Sequence, residues 1–238
     1  MTERCIVLPY VQHEIGTGEH IEERGLVEFR LLYQGEIFAA SRNSTRSAHK
    51  HAIRRIFHPQ LRRLWNTESN LYRLAEHRYM RTLPRDGTIP GHTKQEIFQI
   101  GINNIGDNWQ RNGFRFVPLV TADLVLRCSL DILLLRPEGQ RFILTKGDID
   151  GQLKTLFDAL RIPSSGEDTG GSDPQNDENP FFCLLEDDRL ITEVRVVADN
   201  LLLLPNQNER ECKATDSFVV IHARLNHRNP WGLTNYFG

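Results

Sequence analysis

Residues 124–160 decide the fold and read LVLRCSLDILLLRPEGQRFILTKGDIDGQLKTLFDAL. Between Leu124 and Leu134 apolar and polar side chains alternate, which is the period of a β-strand with one buried face. Residues 137–139 have turn-forming composition, and residues 141–146 predict a second strand. The stretch therefore begins as two strands joined by a turn.

The second half of this stretch predicts a helix that follows an acidic turn. Four apolar side chains have helical spacing: Leu153, Leu156, Phe157 and Leu160. Asp150 precedes them and is predicted to be the amino-terminal cap of the helix. The order is strand, acidic turn, helix.

Two groups of acidic residues carry the predicted chemistry. Asp148 and Asp150 follow the second strand, and residues 186–188 (Glu-Asp-Asp) follow another apolar stretch. Carboxylates that repel each other are stabilised by a divalent cation, and Mg²⁺ prefers oxygen ligands. A sheet that joins both strand ends would place three or four carboxylates at one point. Lys154 lies one helical turn beyond Asp150, where its ammonium would meet a scissile phosphate.

The two acidic strings resemble one family. GDIDGQLKTLFDAL (residues 147–160), followed by LLEDDRLI (residues 184–191), resembles the RusA family of Holliday junction resolvases. The resemblance implies that three aspartates bind the metal, with Asp187 and Asp158 in supporting roles, and that Lys154 is catalytic. The three implied metal ligands are Asp148, Asp150 and Asp188.

The resemblance also implies a function and a fold. It implies cleavage of branched DNA with Mg²⁺, or with Mn²⁺, by a homodimer that needs no small-molecule cofactor. The implied fold is α+β, a compact mixed β-sheet flanked by helices, covering residues 124–225. Gly151 departs from the family's asparagine, and residues 164–180 enlarge a connection that is normally short.

A basic segment precedes this region. Residues 41–81 carry ten arginines and lysines against two glutamates, although the whole chain has a net charge of -2. Lysine and arginine supply the affinity for DNA phosphates, so we predict that this segment contacts DNA. The predicted DNA-binding residues are Arg54, Arg55, Arg62 and Arg63.

The amino-terminal part predicts a hairpin and helices. Residues 26–40 read as two short strands around Gln34-Gly35. The basic segment has an apolar stripe interrupted by Pro59, which predicts two helices with arginines on their outer faces and Trp65 in the core. A further helix is predicted over residues 98–109, packed on a sheet.

The remaining predictions concern the loop and the domain organisation. Residues 164–180 lack aliphatic and aromatic side chains and predict a mobile loop. Strands are predicted over residues 190–198 and 217–225. We expect a single domain, 1–238, with the hairpin and basic helices in 20–112 and the RusA-like core in 113–238.

Composition and the first residues of the sequence bear on where in the cell the protein is expected. The apolar runs are too short for a membrane span, and the first residues do not resemble a signal peptide. The four cysteines form no C-x-x-C pair, so we expect reduced thiols and a cytoplasmic protein. The pair His49 and His51 indicates a solvated basic segment rather than a metal site.

Two alternatives to an active nuclease stay open. A D-x-D motif after an apolar strand also occurs in glycosyltransferases, but it explains neither Lys154 nor the second acidic string. A RusA-like module that binds DNA with weak or no cleavage is compatible with Gly151 and with the enlarged 164–180 connection.

Overall fold

The structure, a computed structural model, describes residues 27–39, 44–83, 91–124, 126–136, 149–164, 169–201 and 216–227. It is α+β, with two mixed β-sheets flanked by four α-helices in the described residues. The elements in chain order are β1 (Val27–Gly35), α1 (Ser44–Thr67), α2 (Ser69–Met80), α3 (Lys94–Gly106), β2 (Gln110–Arg111), β3 (Phe114–Val120), β4 (Leu126–Arg136), α4 (Ile149–Leu160), β5 (Phe181–Leu185), β6 (Ile191–Asn200) and β7 (Ser217–His227). Two 3-10 turns, Ala122–Leu124 and Asp188–Leu190, precede β4 and β6.

The larger sheet has the strand order β1-β7-β4-β6. β7 pairs antiparallel with both β1 and β4, whereas β6 runs parallel to β4. In β4 buried residues alternate with exposed or half-buried ones along the whole strand, so the predicted one-sided burial is confirmed. The predicted strands over 190–198 and 217–225 are confirmed as β6 and β7, and the predicted strand 141–146 lies outside the described residues.

The predicted amino-terminal hairpin is wrong. Residues 27–35 form the single strand β1, residues 36–39 are not a strand, and β1 pairs with β7 near the other end of the chain. Its outer edge is engaged by a side chain: Gln60 Oε1 accepts the N–H of Leu32 at 2.9 Å, and Gln60 Nε2 donates to the Leu32 carbonyl at 2.7 Å. A partner strand distant in sequence therefore replaces the local one.

The prediction of two helices separated at Pro59 is also wrong, because α1 continues through this proline. Pro59 is exposed, and the loss of the single hydrogen bond that its missing N–H would make does not end the helix. Trp65 is fully buried, as predicted. The chain instead breaks after Thr67, and α2 begins at Ser69 with Glu68 as its cap.

The helix predicted over residues 98–109 is confirmed as α3, which starts earlier, at Lys94, and ends three residues earlier, at Gly106. Thr93 and Glu96 form a capping box, which begins the helix at Lys94. A Cβ at Gly101 would lie 2.0 Å from the carbonyl oxygen of Ala75, so only glycine permits this approach of α3 to α2. α3 also contacts β3, which agrees with the expected packing on a sheet.

The smaller sheet, β2-β3-β5, lies beside α1. Residues 169–180, which belong to the connection predicted to be mobile, contact α1 at the same place. Residues 169–180 are described, and Thr169 and Glu178 are buried. Arg55 donates to both Glu178 oxygens at 2.7 and 3.0 Å, and a His58 ring nitrogen lies 3.0 Å from the Asp177 carbonyl. Polar contacts to α1 therefore hold residues 169–180, and the mobility predicted for residues 164–180 stays a prediction.

One apolar cluster joins both sheets and all four helices of the described chain. Cys128 and Cys183 lie buried as free thiols. No helix within the described residues is both long enough and apolar enough to cross a membrane.

Candidate active site

The first turns of α4 carry two of the predicted catalytic residues. Asp150 is the second residue of the helix, so the prediction that it caps the helix is wrong, although a carboxylate in the first turn still interacts favourably with the helix dipole. Lys154 lies four residues later on the same face, and both side chains are exposed. Asp148 lies outside the described residues. This face of α4 offers an anion and a cation to solvent.

The second acidic string lies between β5 and β6. Asp187 is the cap of the 3-10 turn, and its carboxylate accepts hydrogen bonds from the backbone N–H, Nε and Nη2 of Arg189 at 3.0, 2.9 and 3.2 Å. These bonds lower the pKa of Asp187 to about 2. Glu186 accepts the backbone N–H of Ala122 at 2.9 Å. Both carboxylates are therefore engaged within the chain.

Asp188 lies near the carboxyl end of α4. Its Oδ2 is 4.0 Å from Nε of Arg161, the residue that follows the helix. The same Arg161 nitrogen lies 3.1 Å from Oδ1 of Asp158, and Asp150 is two turns before Asp158, roughly 12 Å away at 1.5 Å per residue. The described geometry places Asp188 beside Arg161 and separates it from Asp150 along the helix.

The donor chemistry suits a hard divalent cation, because every predicted ligand is a carboxylate. Among the described residues, however, no group of three or more histidine, cysteine, aspartate or glutamate side chains lies close enough to share a metal ion. Since Asp148 is outside these residues, the four-carboxylate cluster stays a prediction.

Asp158 joins α1 to α4. Its side chain is buried between Lys50, whose Nζ is 2.6 Å from Oδ2, and Arg161, whose Nη2 is 2.7 Å from Oδ1. Arg54 donates to the Asp158 carbonyl at 2.6 Å and to the Arg161 carbonyl at 3.1 Å. A buried guanidinium thus pairs with the last carbonyls of α4, where the helix end is negative.

The predicted DNA-binding arginines separate into three environments. Arg54 is 2% exposed, so its assignment to the DNA surface needs correction: it lies in the interior because it caps α4. Arg55 is half-buried in its ion pair with Glu178. Arg62 and Arg63 are exposed on α1.

The histidines of α1 do not form a solvated segment either. His51 and His58 are buried and stack on Phe181, and His51 also meets Phe114 edge-on. Burial, reinforced by Arg54, lowers the pKa of His51 to about 4. Both rings therefore belong to the core between α1 and the smaller sheet.

An open cavity of about 580 Å³ adjoins the acidic turn. Arginines and carboxylates both line it, including Arg111, Arg161, Arg189, Glu186 and Asp187. Most of these groups are paired: Arg161 contacts two carboxylates, Arg189 is bound to Asp187, and Arg111 donates to the Pro163 carbonyl. The cavity lies next to Asp188 and presents a mixed charge.

The sequence-based prediction missed two arginines that contact the candidate site. Arg161 directly follows the apolar stripe of α4, but nothing in its local sequence reveals its neighbour Asp188. Arg136 could have been found from the sequence, because it continues the every-second-residue pattern of buried side chains that runs from Leu126 to Leu134 in β4. A charged residue at such a position predicts a buried cation.

In comparisons with protein-family models, with curated proteins and with solved structures, nothing matched the chain.

Proposed function

We propose that the protein is a metal-dependent endonuclease that hydrolyses phosphodiester bonds in branched DNA, as the RusA family does. One observation carries the proposal: Asp150 and Lys154 are exposed on one face of α4, and the turn that bears Asp188 packs against the same helix. These residues belong to the two strings that resemble the family. The RusA-like fold and the cytoplasmic setting are parts of the same proposal.

Asp148, Asp150 and Asp188 are the proposed ligands of Mg²⁺ or Mn²⁺, with Asp187 as an additional one. Because Asp150 and Asp188 lie apart along α4, the proposal requires the turn that bears Asp188 to move toward the start of the helix for both to hold one ion. When bound, such a cation activates water and stabilises the leaving oxygen. Lys154 carries a positive charge next to Asp150, which suits stabilisation of the charge that develops on the phosphate. Asp158 supports the site indirectly, because it fixes Arg161 and the carboxyl end of α4.

Arg62 and Arg63 are the proposed DNA contacts. Both are exposed on α1, and Arg73 and Arg81 are exposed on and after α2. Exposed arginines are free to exchange water and counterions for backbone phosphates. Arg54 is excluded from this role, and Arg55 would first have to leave Glu178.

The homodimer has its best support at β6, which is the edge of the larger sheet opposite β1 among the described strands. Nearly all of β6 is exposed, including Val194 and Val197 at 42% and 44%. Antiparallel pairing of two β6 strands about Val197 would set Arg195 of one copy opposite Asp199 of the other. Opposite charges across strands favour this register.

The charge pair between Arg195 and Asp199 can be tested by sedimentation equilibrium. Arg195→Asp should lower the dimer fraction, and the Arg195→Asp/Asp199→Arg exchange should restore it.

The test is cleavage of labelled four-way junction, fork, flap and linear duplex DNA, with Mg²⁺, with Mn²⁺ and with EDTA. The wild type is compared with Asp150→Asn, and with Asp107→Asn as a matched control, because Asp107 is an exposed carboxylate at the end of α3. We expect metal-dependent cutting of branched DNA that Asp150→Asn loses and Asp107→Asn keeps. Equal cleavage by wild type and Asp150→Asn would contradict the site.

A second candidate is a DNA-binding module of the same fold that does not cleave. It is favoured by the arginines beside two proposed ligands, since Arg189 binds Asp187 and Arg161 lies 4.0 Å from Asp188. Binding of junction DNA without cutting, under every metal condition, would establish this alternative and exclude the nuclease.

A further inference from the structure

Arg136, the last residue of β4, is a buried cation that the proposed chemistry does not use. It continues the buried face of the strand and is 5% exposed. Its Nη2 donates to Oε1 of Gln152 at 2.5 Å, and Gln152 is buried as well. The guanidinium is therefore fixed against the first turn of α4.

Most of the hydrogen-bonding capacity of this guanidinium is unused. Its Nε and Nη1 atoms are buried and have no hydrogen-bond partner among the residues that the structure describes. Arginine has five N–H donors, of which Nε holds one and Nη1 holds two, so three are unpaired. Buried donors are almost always paired in folded proteins. A residue that departs so far from this rule indicates a partner that the described part of the chain does not supply.

The missing partner should be an anion. Burial disfavours the charged form of Arg136 and lowers its pKa, and no carboxylate of the described residues is among the causes of the shift. An unpaired buried charge is strongly destabilising, while an oxyanion next to it restores both the charge balance and the hydrogen bonds. The planar fork of a guanidinium matches phosphate oxygens with two parallel hydrogen bonds.

The amino-terminal end of α4 favours the same kind of ligand. Arg136 is hydrogen-bonded to the side chain of Gln152, the fourth residue of this 12-residue helix, and thus to its first turn. The backbone N–H groups of that turn have no acceptor within the helix. These groups and the helix dipole form an anion-binding end. The helix end and the buried guanidinium are two independent features that point to one ligand class.

We propose that Arg136 and the first turn of α4 form a phosphate-binding site, which takes a backbone phosphate of the nucleic acid. The assignment of the phosphate to nucleic acid rests on the proposed function. Asp150 and Lys154 lie on the same turns of α4, so a phosphate held by Arg136 would be close to the residues proposed to cut the strand.

The first test is thermal unfolding in inorganic phosphate, without a divalent metal, against chloride of equal ionic strength. It compares the wild type with Arg136→Met, with Arg136→Lys and with Arg127→Met. Arg127 is a matched control, because it lies exposed on the same strand. A ligand that binds only the folded state raises the melting temperature with its concentration.

We expect phosphate to raise the melting temperature of the wild type and of Arg127→Met by several degrees more than that of Arg136→Met, with Arg136→Lys in between. Without phosphate, Arg136→Met should stay close to the wild type in stability, because the gain from removing an unpaired buried charge offsets the lost hydrogen bond to Gln152. Two results would overturn the proposal: equal phosphate shifts in all four proteins, or a strong loss of stability in Arg136→Met without phosphate. The second would show that the chain itself supplies the partner.

The second test measures binding of four-way junction DNA in EDTA. Arg136→Met should raise the dissociation constant at least tenfold, and Arg127→Met should leave it near the wild-type value. If the wild type binds DNA and the phosphate shift requires Arg136, but nothing is cut in Mg²⁺ or Mn²⁺, the phosphate site stands and the nuclease proposal fails. If DNA is cut and Arg136→Met binds and cuts like the wild type, the nuclease stands and the phosphate site fails.

Discussion

Arg161 Nε lies 4.0 Å from Asp188 Oδ2, and the same guanidinium is bound to Asp158 Oδ1. The contact joins the end of α4 to the turn before β6, across 27 residues of sequence. Because Asp158 fixes the guanidinium, Arg161 holds a positive charge next to a proposed metal ligand. The arginine and a cation would therefore compete for Asp188.

Removal of this charge should strengthen metal binding. Arg161→Gln should lower the Mg²⁺ concentration for half-maximal DNA cleavage several-fold, because the carboxylate of Asp188 loses a neighbouring cation. It should also reduce the free energy of unfolding by about 1–3 kcal/mol, since buried Asp158 loses hydrogen bonds. Titration of cleavage with Mg²⁺ measures the first effect, and Arg127→Gln, at an exposed position of β4, is the control. An unchanged or higher Mg²⁺ requirement would show that Arg161 does not oppose the metal.

The surface of α1 should contribute a salt-dependent part of DNA affinity. Arg62→Gln/Arg63→Gln should weaken junction binding and reduce the slope of log K against log salt by about two, roughly one per lost phosphate contact. Fluorescence anisotropy over a range of salt concentrations measures this slope. Arg30→Gln, on the exposed side of β1, is the control. An identical slope in wild type and double variant would remove this face of α1 from the DNA interface.

The ion pair between Arg55 and Glu178 should stabilise the fold. Glu178→Gln should lower the free energy of unfolding by about 1–3 kcal/mol, because the buried carboxylate accepts two hydrogen bonds from Arg55 and one from the backbone of Gln175. Urea denaturation measures the loss, and Asp177→Asn, at an exposed neighbouring position, is the control. A double-mutant cycle with Arg55→Gln isolates the pair; a coupling near zero would mean that residues 169–180 are held by other contacts.

Stability should decrease in mild acid because of His51. Its pKa is lowered to about 4 from an ordinary value of 6.5, so the unfolded chain binds the proton first. The free energy of unfolding should thus be highest above pH 6.5 and fall between pH 6.5 and 4, by up to roughly 3 kcal/mol for this residue. His51→Asn should flatten the decline, whereas His77→Asn on α2 should not. If the free energy of unfolding of His51→Asn falls with pH as steeply as that of the wild type, groups other than His51 cause the decline.

Local patterns predicted the elements that depend on short-range periodicity. The alternation in β4 and the apolar stripe of α4 identified both elements, because one buried face is enough to fix a period of two or of 3.6 residues. The same reasoning placed Asp150 and Lys154 on one helix face. It failed for β1, whose partner β7 is almost 200 residues away, and at Pro59, where the loss of a single hydrogen bond does not end the helix.

The sequence by itself determined the strand period of β4, the helical stripe of α4 and the acidic strings that suggest a nuclease. Only the tertiary structure decided which charges face water. Arg54 and Arg62 look alike in the sequence, yet Arg54 is buried against the carbonyls that end α4 and Arg62 is exposed. Periodicity reports which face of an element is buried, whereas the partner of a buried charge lies on another element, and only folding brings the two together.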